Sequence, residues 1–191
     1  MCGIVGYVGK KNIALNVLTD GLSALEYRGY DSAGVAFVKK DKIKIIKSLG
    51  KIVNLKEKLD YSDKSCLGIG HTRWATHGKP SVTNSHPHNV GKITIVHNGI
   101  IENYEEIRKM LKKEGYSFKS ETDTEVACAL IDYNYKKTKD MVKAINESEK
   151  VFKGSYALGI ICEDFNDTLF ACRKDSPLIV AKDKDGFFIA S

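Results

Sequence analysis

Long hydrophobic runs, prolines and paired cysteines are all scarce in this chain of 191 residues. No apolar run approaches the ~18 residues that a membrane span requires. The N-terminus lacks the basic region and apolar stretch of a secretory signal. We therefore expect a cytoplasmic protein that does not enter a membrane. The 42% hydrophobic and 28% charged residues are typical of a single globular domain.

The five cysteines form neither CxxC pairs nor a regular framework. Their odd number in a chain of this size argues against a disulfide scaffold. Cys128 and Cys162 lie in apolar segments and are predicted to be core residues. Cys66 lacks the first glycine of a nucleophile elbow. Only Cys2 occupies a position that requires a chemical explanation.

Basic residues are in excess, with a formal net charge of +6, but the lysines are scattered in pairs beside acidic residues. No basic stripe, zinc-finger signature or RNA-recognition signature is present, so we do not expect nucleic-acid binding.

A metal site must also be weighed, because five histidines fall in one short segment: His71, His77, His86, His88 and His97. No HExxH motif or cysteine at ligand spacing accompanies them, so we predict neither a metal nor a cofactor.

Hydrophobic periodicity predicts a layered α+β domain with two sheets and helices outside them. The predicted helices span residues 12–29, 53–59, 103–115, 122–137 and 140–152. The first predicted strand spans residues 2–8, and the next two, at 32–38 and 43–50, form a hairpin. Two further strands span residues 66–74 and 92–99. The strand at 92–99 is expected to end in a glycine turn. Four more strands, predicted to run antiparallel, span residues 155–163, 167–173, 177–182 and 186–191. Because the sequence ends on a strand without a turn signal, we expect the natural chain to continue.

Cys2 is unusual because removal of the initiator methionine would make it the N-terminal residue. It would then carry a thiol and a free α-amine, whose pKa near ~7.7–8.0 allows it to act as a base at neutral pH. An N-terminal amine that activates its own side-chain nucleophile is a known form of covalent catalysis. The alternative is a small buried cysteine at the start of an inner strand.

The polar stretches VHNG and HTRWATHG have compositions that ordinary turns do not require. Asn98 and Gly99 either form a type I′ hairpin turn or supply the two donors of an oxyanion hole. Arg73 lies at the surface, or its planar fork binds a carboxylate. Trp74, the single tryptophan, either covers a ligand or anchors its loop.

Asp123 lies at the predicted start of a helix, where capping is the ordinary role of an aspartate. A carboxylate at this position can equally bind the ammonium group of a ligand. Together, a thiol with a free amine, two oxyanion donors, a carboxylate-binding arginine and an ammonium-binding aspartate fit one class of ligand. That class is an α-amino acid with a side-chain carbonyl.

Five segments carry a resemblance to a known family: MCGIVGYVG, EYRGYDSAG, HTRWATHG, HNGIIENY and SETDTE. They resemble the glutaminase domain of the glucosamine-6-phosphate synthase family, which is a class II glutamine amidotransferase domain. The resemblance covers the whole chain, residues 1–191. It implies the N-terminal nucleophile hydrolase fold, a four-layer αββα sandwich with two antiparallel sheets. Members of this family also have C-terminal sugar-isomerase domains, which we expect in the full-length protein.

The resemblance also implies a role for each matching residue. Cys2 would be the nucleophile, with its α-amine as the base, and Asn98 and Gly99 would form the oxyanion hole. Arg73 would bind the α-carboxylate of L-glutamine, and Asp123 its α-ammonium group. A loop that closes over the substrate would contain Trp74, Thr76, His77 and Gly78.

His86 matches a family position near the face that meets the partner domains.

The implied reaction is hydrolysis of glutamine to glutamate and ammonia through a γ-glutamyl thioester. In the full enzyme, expected to be a homo-oligomer, the ammonia would convert fructose 6-phosphate to glucosamine 6-phosphate. The alternatives are the glutaminase domain of an amidophosphoribosyltransferase or asparagine synthetase, a papain-type hydrolase with a histidine base, a metal-binding module, and a domain that binds glutamine without turnover.

Overall fold

The computed structural model describes residues 2–74 and 79–191. The strands are β1 (Gly3–Gly9), β2 (Ser32–Lys39), β3 (Lys42–Leu49), β4 (Leu67–Arg73), β5 (His88–Val90), β6 (Ile93–Ile101), β7 (Gly154–Cys162), β8 (Phe165–Lys174), β9 (Ile179–Lys182) and β10 (Gly186–Ala190). The helices are α1 (Ala14–Ala24), α2 (Ile52–Lys56), α3 (Tyr104–Lys113), α4 (Asp123–Thr138) and α5 (Met141–Glu149), and a 3-10 turn spans Glu26–Arg28.

The described strands form two antiparallel sheets. One has the order β3-β2-β4-β1-β10-β9, and the other has the order β5-β6-β7-β8. Helices α1 and α2 cover the outer face of the six-stranded sheet, and α3, α4 and α5 cover the outer face of the four-stranded sheet. The predicted four-layer αββα sandwich with two antiparallel sheets is therefore confirmed.

Strand alternation explains how each strand fills two cores at once. In β1, Ile4 packs between the sheets with Ile69 and Val96. The next residue, Val5, packs on the other face with Leu18 of α1. Because successive side chains in a strand point to opposite faces, a strand that is covered on both faces is apolar at nearly every position. This is why β1, β2 and β4 are almost continuously buried.

Three details of the predicted strands are wrong. Strand β6 does not end in a turn at Gly99 but continues to Ile101, paired with β7. The C-terminal strands do not form one run, because β8 pairs with β7 while β9 pairs with β10 in the other sheet. Pro177 lies in the connection between β8 and β9, and it has no N–H to donate to a neighbouring strand. The short strand β5 was not predicted.

The first and last described residues, Cys2 and Ser191, lie close together at one end of the six-stranded sheet. Strand β1 lies between β4 and β10, with Gly3 opposite Thr72 and Val5 opposite Ala190. The Ile4 N–H donates to the Ser191 carbonyl at 3.2 Å. Cys2 therefore lies beside the end of β4 and beside the last residue. Among the described residues, no helix is long and apolar enough to cross a membrane.

The cap of α5 gives a test of the fold that is independent of any site. The Asp140 side chain accepts from the Lys143 N–H at 3.0 Å, and α5 packs Met141 and Ile145 into the core. We expect Asp140→Ala to lower the free energy of unfolding by about 1 kcal/mol, and Asp140→Asn to cost much less, because asparagine caps equally well. Urea unfolding of both variants measures this difference. Equal losses in the two variants would show that capping is not the cause.

Candidate functional site

The Cys2 thiol lies against the backbone at the end of β4. The Trp74 N–H donates to the Cys2 Sγ at 3.2 Å. The Cys2 thiol in turn donates to the Trp74 carbonyl oxygen, 3.6 Å from Sγ. Burial raises the pKa of the half-buried thiol, while the hydrogen bond from Trp74 acts in the opposite direction. The thiol is therefore mostly protonated near neutral pH, so its use as a nucleophile requires a nearby base.

The Asn98 side chain, on β6 of the four-stranded sheet, contacts Cys2, which directly precedes β1 of the other sheet. Its Nδ2 donates to the Cys2 carbonyl oxygen at 3.2 Å and to the Ser191 Oγ at 3.0 Å. The Oδ1 atom of the same carboxamide lies 3.0 Å from the His71 Nε2. The amide donor is thus beside the residue that carries the thiol.

Gly99 permits the strand to continue after Asn98. Its φ of +121° lies in a region that L side chains rarely adopt. A Cβ there would also clash with the Ser155 carbonyl oxygen on β7. The hairpin-turn interpretation of Asn98–Gly99 is therefore wrong, and the glycine is needed for a distorted but continuous strand.

Arg73, the last residue of β4, is buried and carries the positive charge of the site. Its Nη1 lies 4.0 Å from the Asp31 Oδ1, and the Asp31 N–H donates to the Arg73 carbonyl at 3.2 Å. A Cβ at Gly29 would lie 2.7 Å from the Arg73 carbonyl carbon. Gly29, the first of the two glycines in the EYRGYDSAG segment, therefore allows this close approach, which places Asp31 beside the arginine.

Asp123 is the first residue of α4 but does not cap it. Thr122 caps the helix, its Oγ1 accepting from the Glu125 N–H at 3.2 Å. The Asp123 Oδ2 instead accepts from the Ile101 N–H at 2.9 Å. Its Oδ1 lies 3.8 Å from the His97 Nδ1. The carboxylate is therefore directed toward the end of β6, where Asn98 and Gly99 lie.

One cleft joins these groups. It combines a thiol, a cation and an anion with backbone and hydroxyl groups, a mixture that suits a small zwitterionic ligand. Its lining residues are Cys2, Arg73, Trp74, His86, His97, Gly99, Thr122, Asp123 and Thr124. The Trp74 side chain is 48% exposed and contacts Tyr30 edge-on, with ring centroids 5.5 Å apart. It is therefore not packed in a core, and its role as a cover over a ligand stays a prediction.

Four buried histidines form the floor behind this cleft: His71, His86, His88 and His97. Burial lowers the pKa of each, to about 3 for His71, so the cluster is neutral at pH 7. Their ring nitrogens contact threonine hydroxyls, the Asn98 carboxamide and backbone groups. Within residues 2–74 and 79–191, no three histidine, cysteine or acidic side chains are arranged to hold a metal ion.

The structure brings together most of the predicted site residues. Cys2, Arg73, Trp74, Gly99 and Asp123 line one cleft, and Asn98 contacts Cys2. His86 is only 6% exposed and stacks on His71, and its role beside a partner domain stays a prediction. Met1, Thr76, His77 and Gly78 lie outside the described residues.

The sequence did not predict that His97 and Thr124 line the cleft, or that His71 and Ser191 contact Asn98. Strand alternation could have identified His71, because residues two apart in a strand share a face and Arg73 was already a candidate. His97 precedes Asn98 directly, but its side chain points to the opposite face, toward α4. No sequence pattern marks Ser191.

Comparison with known proteins gives consistent matches. A family model described as a glutamine amidotransferase domain matches residues 71–191. The chain is 56% identical to a glutamine–fructose-6-phosphate aminotransferase (isomerizing) of Clostridium tetani, over all of this chain and 31% of that protein. It is 49% identical to the protein of the same description from Pyrococcus horikoshii, over all of this chain and 32% of that protein. The chain thus spans about a third of the length of these relatives.

Solved structures agree with the sequence matches. A structure described as the allosteric regulatory enzyme of purine biosynthesis superposes with a TM-score of 0.85 at 27% identity, covering 100% of this chain and 42% of that chain. A glutamine phosphoribosylpyrophosphate amidotransferase from B. subtilis gives a TM-score of 0.83 at 27% identity, covering 99% and 41%. These neighbours confirm the predicted N-terminal nucleophile hydrolase fold. Because the matched residues make up more than half of the chain, the protein belongs to the glutamine amidotransferase domain family.

Proposed function

We propose that this chain hydrolyses L-glutamine to L-glutamate and ammonia, with Cys2 as the nucleophile. The observation that carries the proposal is the convergence of the Cys2 thiol with Arg73 and Asp123 in one cleft. The Asn98 amide beside Cys2 and the membership of the amidotransferase family support it.

The two charged side chains of the cleft suit the two charges of an α-amino acid. Arg73 presents a planar guanidinium that can bind the α-carboxylate with two parallel hydrogen bonds. The Asp123 carboxylate can accept further hydrogen bonds besides the one from the Ile101 N–H, so it can bind the α-ammonium group. The side-chain carboxamide of glutamine would then extend toward Cys2. Trp74 would close over the substrate with Thr76, His77 and Gly78.

The first step would be attack of the Cys2 sulfur on the carboxamide carbon. After removal of Met1, the α-amine of Cys2 takes the thiol proton as the S–C bond forms and the carbonyl electrons move to oxygen. The Asn98 Nδ2 and the Gly99 N–H stabilise this oxyanion. The Nδ2 would exchange a present contact, to Cys2 or Ser191, for a stronger charge-assisted bond.

The second half of the cycle would release both products. Collapse of the tetrahedral intermediate breaks the C–N bond, and the protonated α-amine donates its proton to the departing ammonia. Water then attacks the γ-glutamyl thioester, the amine again acting as base, and glutamate leaves with regeneration of the thiol. No metal or cofactor is required by this scheme.

The relatives suggest a use for the ammonia. We infer that, in a longer cytoplasmic protein, further sugar-isomerase domains bind fructose 6-phosphate and convert it with this ammonia to glucosamine 6-phosphate, in a homo-oligomer. The support is the identity to the glutamine–fructose-6-phosphate aminotransferases, of which this chain matches 31%. His86 would lie near the face that meets those domains.

Glutamate release by the purified chain tests the proposal directly. We expect turnover of glutamine by the wild type, loss of turnover in Cys2→Ala, and full activity in Cys66→Ala, since Cys66 lies outside the cleft lining. Fructose 6-phosphate should neither stimulate the chain nor be converted to an amino sugar. Unchanged glutamate release by Cys2→Ala would refute the assignment of the nucleophile.

Asn98→Ala tests the oxyanion hole. We expect kcat to fall by roughly 10²–10³, the usual loss for one oxyanion donor, with a smaller effect on KM. Asn103→Ala is a matched control, because the Asn103 side chain donates to the Val151 carbonyl and accepts from the Lys153 N–H, and Asn103 does not line the cleft. A change confined to KM, measured by steady-state glutaminase kinetics, would show that Asn98 serves binding alone.

Asp123→Asn tests recognition of the α-ammonium group. The asparagine Oδ1 can still accept from the Ile101 N–H, so the fold should remain intact. Since hydrogen bonds to charged groups contribute about 1.5–3 kcal/mol, we expect KM for glutamine to rise roughly 10- to 100-fold. Glutaric acid monoamide, which lacks the amine, should be a poor substrate of both proteins to the same degree. An unchanged KM for glutamine would exclude Asp123 from substrate binding.

A further inference from the structure

We propose that His71 fixes the orientation of the Asn98 carboxamide and is therefore a positioning residue for the hydrolysis. The inference rests on the proposed function, because it assigns a partner to the oxyanion donor. His71 lies on β4 of the six-stranded sheet, and Asn98 lies on β6 of the other sheet. His71 is opposite Ile4 in the sheet register, and its side chain contacts His97 and Asn98 of the other sheet.

The contacts of the His71 Nε2 determine which ring nitrogen carries the proton. Nε2 lies 3.0 Å from the His97 carbonyl oxygen and 3.0 Å from the Asn98 Oδ1. A carbonyl oxygen can only accept a hydrogen bond, so Nε2 must be the donor. His71 is therefore the Nε2–H tautomer, and it donates to both oxygens.

The contacts of Cys2 determine the orientation of the carboxamide independently. The Cys2 carbonyl is also an acceptor only, so the Asn98 atom at 3.2 Å from it must be the Nδ2 donor. The Oδ1 then faces His71, in agreement with the tautomer. A rotated carboxamide would place oxygen against the Cys2 carbonyl and Nδ2 against a ring nitrogen that already donates to His97.

The ring of His71 is held in place by its surroundings. It is 1% exposed and stacks on the His86 ring, with centroids 4.0 Å apart and planes inclined by 12°. The His86 Nδ1 in turn accepts from the His97 N–H at 3.3 Å, which ties the stack to β6. Burial also lowers the pKa of His71 to about 3, so no second proton is added near neutral pH.

Two amide substitutions separate positioning from simple space filling. Glutamine can place its amide nitrogen near the position of Nε2, whereas the shorter asparagine places it near Nδ1. We expect His71→Gln to retain kcat within about threefold and His71→Asn to lose roughly 10- to 100-fold in kcat, as misplaced groups do. KM for glutamine should change little in either variant. If both lose activity equally at the same thermal stability, His71 does not act through its Nε2 donor.

A double-mutant cycle shows whether the effect passes through Asn98. In the Asn98→Ala background, His71→Asn should lower kcat by no more than about twofold, since its partner is already absent. A full additional loss would assign His71 a merely structural role. His71→Phe, which keeps a stacked ring without a donor, gives the same comparison if His71→Asn does not fold.

The tautomer itself gives a readout that does not depend on activity. In ¹⁵N-histidine-labelled chain, long-range ¹H–¹⁵N spectra at pH 7 distinguish a protonated Nε2 from a protonated Nδ1. We expect the Nε2–H form at His71. The Nδ1–H form would overturn this inference even if glutamine is hydrolysed. The Nε2–H form in a chain without glutaminase turnover would refute the proposed function while supporting the placement of Asn98.

Discussion

Contact between the two sheets at the start of β1 determines where His71, Asn98 and Cys2 meet. Along most of its length this contact is apolar, made by Ile4, Ile69 and Val96. At one end it changes to hydrogen bonds, from His71 to Asn98 and from Asn98 to Cys2. Burial of polar groups is tolerated only where they are paired. The end of the sandwich is therefore fixed by a few directional bonds instead of by packing.

This change from apolar to polar contact explains the chemistry of the cleft. Neutral histidines and threonine hydroxyls supply bonding without a net charge, and burial keeps the pKa of the histidines low. Among the described residues that line the cleft, Arg73 and Asp123 carry the charged side chains. In a site of low dielectric, opposite charges would interact strongly with a zwitterionic ligand. The Cys2 thiol therefore shares a cleft with one buried cation and one largely buried carboxylate.

Much of this arrangement could be predicted from local sequence patterns. Alternation and helical periodicity predicted the layers, and the position of Cys2 together with the polar segments predicted the cleft. The end of β6 was mispredicted because Asn98–Gly99 has the composition of a turn, while pairing with β7 carries the strand onward. The bridge from His71 to Asn98 joins residues that are far apart in sequence and in different sheets. Such a contact depends on how the sheets stack, which no local pattern records.

The proposed hydrolysis requires that Cys2 is the nucleophile and carries a free α-amine. Peptide mapping after reaction with a glutamine analogue that bears an electrophilic carbon in place of the carboxamide tests it most directly. Half-buried Cys66 and Cys172 serve as internal controls. We expect an adduct confined to a peptide that begins at Cys2, and protection of that peptide by glutamine. An adduct on Cys66 or Cys172, or on a peptide that still begins with Met1, would contradict it.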